Sequence, residues 1–163
     1  MRTNSKYSFE QVGVPAGWTG EADIEMFEDL YGSATDYFAE AMEHVNDAKS
    51  DFVAALKEAL TFFGVQPKSI ATTNVTARIV WLESHVVAKV PSCQLRSWLL
   101  EDLAYCQHVH REYERLMGPE KAPQEQTWLA IWIGLGDHLS TAASGLEDTL
   151  DYAKRQPGGS KWL

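Results

Sequence analysis

EADIEMFEDLYGSATDYFAEAMEHVNDAKSDFVAALKEALTFFG, residues 21–64, is the stretch on which the fold turns. Within it Ile24, Phe27, Tyr31, Ala34, Phe38, Ala41, Val45, Ala48, Phe52, Ala55, Ala59 and Phe62 recur in steps of three and four. That is an apolar seam of period 3.5, which a helix satisfies and a strand does not. Ala34, Ala41, Ala48 and Ala55 hold one heptad position while bulkier residues hold most of the other. The small positions let a second helix approach closely and receive its large side chains. An unbroken helix over 21–63 would be roughly 65 Å long, against a radius of gyration of about 15 Å for a chain of this size. The reading is therefore a break near Gly32-Ser33, a long helix to Phe63, and termination at Gly64.

Ahead of this stretch, residues 1–20 read as an irregular arm. Gly13, Pro15, Gly17 and Gly20 oppose regular structure, and Tyr7, Phe9 and Trp18 are the side chains able to pin the arm to a core. Behind it, Asn74 to Val90 has the valines of a strand but the periodicity of a helix. Asn74, Arg78, His85 and Lys89 fall on one face, and Val75, Ile79, Val86 and Val90 fall on another. Helix is preferred, stopped by Pro91. Ser92 is the expected cap of a third helix running to Met117, with Leu95, Leu99, Leu103, Cys106, Val109, Tyr113 and Met117 as its buried stripe. A fourth helical region covers about 125–155. Gly134, Gly136 and Gly145 interrupt it at about 1 kcal/mol each against alanine, which predicts a break near Gly136 with Asp137 capping the helix beyond it. TWLAIWI, residues 127–133, has a buried strand as its alternative. The whole is an all-α fold: a single-domain bundle of about four to six helices over 21–155, with an irregular N-terminal arm and a flexible tail at 156–163.

At 163 residues and 45% hydrophobic content the chain has enough apolar surface for one core without staples. Cys93 and Cys106 lie roughly 19 Å apart if one helix carries both, too far for a disulfide. The amino-terminal residues MRTNSKYSFEQVG hold no signal-peptide core, and the apolar run Trp128 to Leu135 is short of a membrane span. A cytoplasmic protein without membrane contact is the expectation.

Net charge is −9, and it is concentrated. Residues 1–66 hold twelve acids and four bases, whereas 67–163 hold eleven and ten. Between Glu21 and Asp51 ten acids face a single base, Lys49. With no basic stripe to neutralise phosphates, direct nucleic-acid binding is disfavoured. Asp29, Asp36, Glu40, Glu43 and Asp47 share the helix face opposite the seam, which suits a basic protein partner.

Catalytic signals are sparse. The residue three before each histidine is never acidic, so the Glu-x-x-His pairs of a di-iron bundle are missing. Cys106 and His110 stand one turn apart without the further ligands of a zinc set, and a buried, inert cysteine is the simpler reading. No metal or cofactor is expected. Arg78-x6-His85 resembles the R-x(4–6)-H motif of HEPN ribonucleases, small helical proteins. There the resemblance implies a catalytic His85 and a phosphate-directed Arg78, paired across a dimer. Ile79 stands where that family has a polar residue. The sequence thus points to a non-enzymatic module that docks on or blocks a basic surface through its acidic face, comparable in character to immunity proteins, antitoxins and nucleic-acid mimics. The alternatives are a structural subunit or homodimer joined through the alanine-rich seam and, third, a HEPN-type ribonuclease.

Overall fold

The computed structural model describes residues 7–12, 34–65, 74–117 and 129–156. Among these the chain is all-α, with four helices and no strand. They are α1 (Ala34–Phe62), α2 (Val75–Lys89), α3 (Gln94–Met117) and α4 (Leu129–Arg155). The anticipated break near Gly32 lies outside the described residues.

The seam of α1 is the centre of the core. Ala41, Val45, Ala48, Phe52, Ala55 and Ala59 are all buried, and α4 is the principal neighbour of this helix. Contacts between His44 and Asp137 at one end, and Glu58 and Lys154 at the other, show that the two helices run parallel. Leu135, Leu139, Ala142, Leu146 and Leu150 of α4 are buried as well. Each large aliphatic side chain so enclosed contributes roughly 1.5–3 kcal/mol. Gly64, at φ 75°, ends the helix as expected. Val65 N–H reaches back to the Leu60 carbonyl at 3.0 Å and Gly64 N–H to that of Thr61 at 3.1 Å, satisfying carbonyls that the last turn would leave bare.

The ambiguous stretch after residue 74 is helical, and Asn74 is more than part of a polar stripe. Its backbone is extended, and its side-chain oxygen accepts the Ala77 N–H at 2.8 Å, an N-cap that starts α2. Ile79, Leu82 and Val86 anchor the helix, and Val90 leads into Pro91. At the start of α3 the Cys93 carbonyl accepts the first helical bond, from Ser97 N–H, so Cys93 rather than Ser92 occupies the cap position. Of the predicted stripe, Leu95 to Val109 are buried, while Tyr113 and Met117 are half-buried. Cys93 is exposed and Cys106 buried, and both are free.

The break expected near Gly136 does not occur. Helix α4 runs unbroken from Leu129 to Arg155, and residues 129–133 are helix rather than strand. Its glycines serve close approach instead. A side chain at Gly136 would collide with the His44 ring of α1, and one at Gly145 with the Tyr7 hydroxyl. Asp137 meets His44 Nε2 at 3.0 Å and is no cap. Helix α3 packs antiparallel to α4, as Tyr105 near His138 and Trp98 against Tyr152 require. Helix α2 folds back along α3, placing its first turns beside His110 and Glu114.

Residues 7–12 are irregular, as expected of the arm. Tyr7 stacks on Tyr105 with ring centroids 4.3 Å apart. Phe9 sets its edge to the same ring. Trp18 lies outside the described residues.

Candidate partner-binding face

Burying the seam of α1 turns its acids outward, because positions half a helical turn away have nowhere else to go. Glu40, Glu43 and Asp47 are exposed on that face, and Asp51 extends the row. Asp36 lies in the first turn of α1, but its side chain falls outside the described residues, as does the whole of Asp29.

The parallel pairing adds a second row. Helix α4 carries the exposed Asp137, Asp148 and Asp151 and the half-buried Glu147 alongside α1. Partial burial pushes the Glu147 carboxyl above the ordinary carboxylate value, and Glu58, Asp51, Asp151 and Asp148 push it further in the same direction. Acids of the two helices therefore repel one another across the groove between them. At the far end Lys154 Nζ holds Glu58 at 2.5 Å, and the exposed Lys57 flanks the ridge. Sequence reasoning missed the second row, although Glu147, Asp148 and Asp151 have the three- and four-residue spacing that marked the first. A break at Gly136 would have separated the acids of α4 from any continuous face.

A separate cleft of about 1070 Å³ opens over the first turns of α2, lined by Asn74, Arg78, Val80, Trp81, His110 and Glu114 among others. His110 is buried, with Nε2 3.0 Å from Glu114 Oε1. Burial, with help from Lys49, holds its pKa below the ordinary imidazole value against the pull of Glu114. Lys49 itself sits over the Tyr113 ring, 3.8 Å from the centroid. Its pKa is lowered by burial, with Glu114 opposing.

Arg78 and His85 share an edge of α2 but are engaged differently. Arg78 lines the cleft. His85 lies flat on Trp81, centroids 3.4 Å apart, and its Nδ1 is 3.0 Å from the Trp81 carbonyl of its own helix. Cys106 is fully enclosed, and burial, then the nearby Asp102, raises its thiol pKa. A thiolate nucleophile is disfavoured there. Among the described residues no group of three or more His, Cys, Asp or Glu side chains could hold a metal ion, and no helix is long and apolar enough to cross a membrane. No protein-family model, curated protein or solved structure matches the chain.

Proposed function

We propose that this protein is a non-enzymatic binding module that docks on, or blocks, a basic surface of a partner protein through the acidic face of α1 and α4. What supports the reading is the row of exposed carboxylates Glu40, Glu43, Asp47 and Asp51 on α1, with Glu147 of the parallel α4 raised first by partial burial and then by Glu58, Asp51, Asp151 and Asp148. Like charges gathered on a folded surface give up stability, and a partner bearing lysine and arginine would relieve that repulsion. Such a face steers encounter with any protein that itself binds nucleic acid, which is how a small acidic inhibitor, immunity protein or nucleic-acid mimic acts.

Over Ala41 to Phe63 the alanine-rich seam is already covered within the chain. A structural homodimer would need some other face, which lowers the standing of that alternative. The ribonuclease alternative rests on Arg78 and His85, of which Arg78 lines the cleft and His85 is stacked on Trp81. The purified chain and its His85→Ala variant are both expected to leave single-stranded RNA intact. RNA cleavage that vanishes with His85 would replace the present reading.

Binding itself is testable by surface plasmon resonance with Glu40→Gln, Glu43→Gln and Asp47→Asn combined. Against the partner, association should slow and lose part of its salt dependence. Unchanged association at low salt would reduce the face to a solubility device.

A further inference from the structure

Residues 7–12 lie in the trough between α3 and α4, and they are held in the way a bound peptide is held. Three contacts go to their main chain. Val12 N–H donates to Glu112 Oε1 at 2.7 Å, Arg115 Nη2 donates to the Val12 carbonyl at 2.8 Å, and His108 Nε2 bonds the Glu10 carbonyl at 2.9 Å. Arg115 is itself fixed by Glu112, its Nε 2.9 Å from Oε2. These contacts would grip the backbone of any sequence.

Selectivity comes from two seats for side chains. At the first, the Tyr7 ring stacks on Tyr105, and its hydroxyl donates to Asp102, which is 0% exposed. Gly145 makes room for it, since a Cβ there would collide with the hydroxyl. Burial, and then the hydrogen bond to Asp102, raise the Tyr7 pKa, so the seat accepts a neutral phenol. A phosphorylated tyrosine would set its negative charge against the Asp102 carboxylate. At the second seat Val12 packs over Gly134, whose missing Cβ would lie 3.5 Å from Val12 Cγ1. Between them Phe9 is 43% exposed and only weakly read. These contacts hold the six residues of the strap to α3 and α4.

We infer that the trough between α3 and α4 is a peptide-binding site for an extended segment with a tyrosine five residues ahead of a small aliphatic side chain. Residues 7–12 fill it in cis, and a partner's segment of that chemistry enters by displacing them. Testing this site changes none of the acidic side chains, so it and the acidic face can fail separately.

The probe is a fluorescent synthetic peptide, KYSFEQVG, followed by anisotropy against the full chain. Tyr7→Ala removes the anchor of the strap and leaves the trough intact, so it should bind the peptide at least about tenfold more tightly than wild type. Adding Gly145→Ala, whose methyl fills the tyrosine seat, should abolish that binding. A Tyr7→Phe peptide, lacking the hydroxyl that donates to Asp102, should bind about tenfold less tightly. Equal binding by wild type and Tyr7→Ala, or binding that survives Gly145→Ala, overturns the inference. If Tyr7→Ala unfolds the chain, the wild type decides. Excess peptide should speed hydrogen exchange at the Val12 amide, and an exchange rate indifferent to peptide overturns the inference equally.

Discussion

Glu112 ties the strap to α3 from an almost fully buried position, accepting the Val12 N–H and pairing with Arg115 of its own helix. Burial alone would raise its pKa, but the Arg115 guanidinium and the Val12 amide outweigh that and hold it below the ordinary carboxylate value. A carboxylate whose folded pKa is depressed contributes stability above its unfolded value of about 4.3, and the contribution is lost as pH falls through that region. His110 and His138 act in the same sense from higher pH. Both are held below the usual imidazole value, first by burial, so below about pH 6.5 the unfolded chain takes up protons that the folded one refuses. The urea midpoint should therefore fall in two stages on acidification, the first diminished by His110→Gln and the second by Glu112→Gln. A second stage of equal size in wild type and Glu112→Gln would show that this carboxylate does not hold the strap. Ala48 offers a test of packing on the same scale. It is 2% exposed, so Ala48→Leu should overpack the contact with α4 and lower stability by about 1–3 kcal/mol in thermal or urea unfolding. An unchanged melting temperature would mean that the seam is not enclosed.

Helix α1 was legible because two independent signals agreed, a strict apolar seam and acids confined to its back. Gly64 was legible as its end because a positive φ is what glycine alone adopts freely. Helix α4 was not legible as one element, and the reason is physical. Glycine lowers helix propensity locally, but Gly136 and Gly145 lie against His44 and Tyr7, partners distant in sequence that no local pattern reveals. Tertiary contact there outweighs a propensity loss of about 1 kcal/mol per glycine. The same glycines hid half of the candidate site, since the acids of α4 form a face only if the helix is continuous. The acids of α1 make a prediction at this scale. Glu40 and Glu43, Glu43 and Asp47, and Asp47 and Asp51 are like-charged pairs one turn apart, each unfavourable by a few tenths of a kcal/mol. Neutralising Glu40, Glu43 and Asp47 together should leave the urea midpoint unchanged or slightly raised. A marked loss of stability would show that these carboxylates support the fold rather than burden it.

At the scale of the whole molecule, charge and packing are two sides of one arrangement. The seam that builds the core is buried, so the acids opposite it have no role in the interior, and the parallel course of α1 and α4 brings Asp51 and Glu58 of α1 near Glu147 of α4. A net charge of −9 concentrated in this way favours association with a basic surface over a neutral one. Affinity capture from the native host is the most direct test, with wild type and the Glu40→Gln, Glu43→Gln, Asp47→Asn variant run side by side at about 0.05 M and about 0.3 M salt. The account predicts that a basic protein is retained by wild type at the lower salt, is released at the higher, and is lost or much reduced on the variant. Retention of the same protein by both chains at both salt concentrations would contradict it.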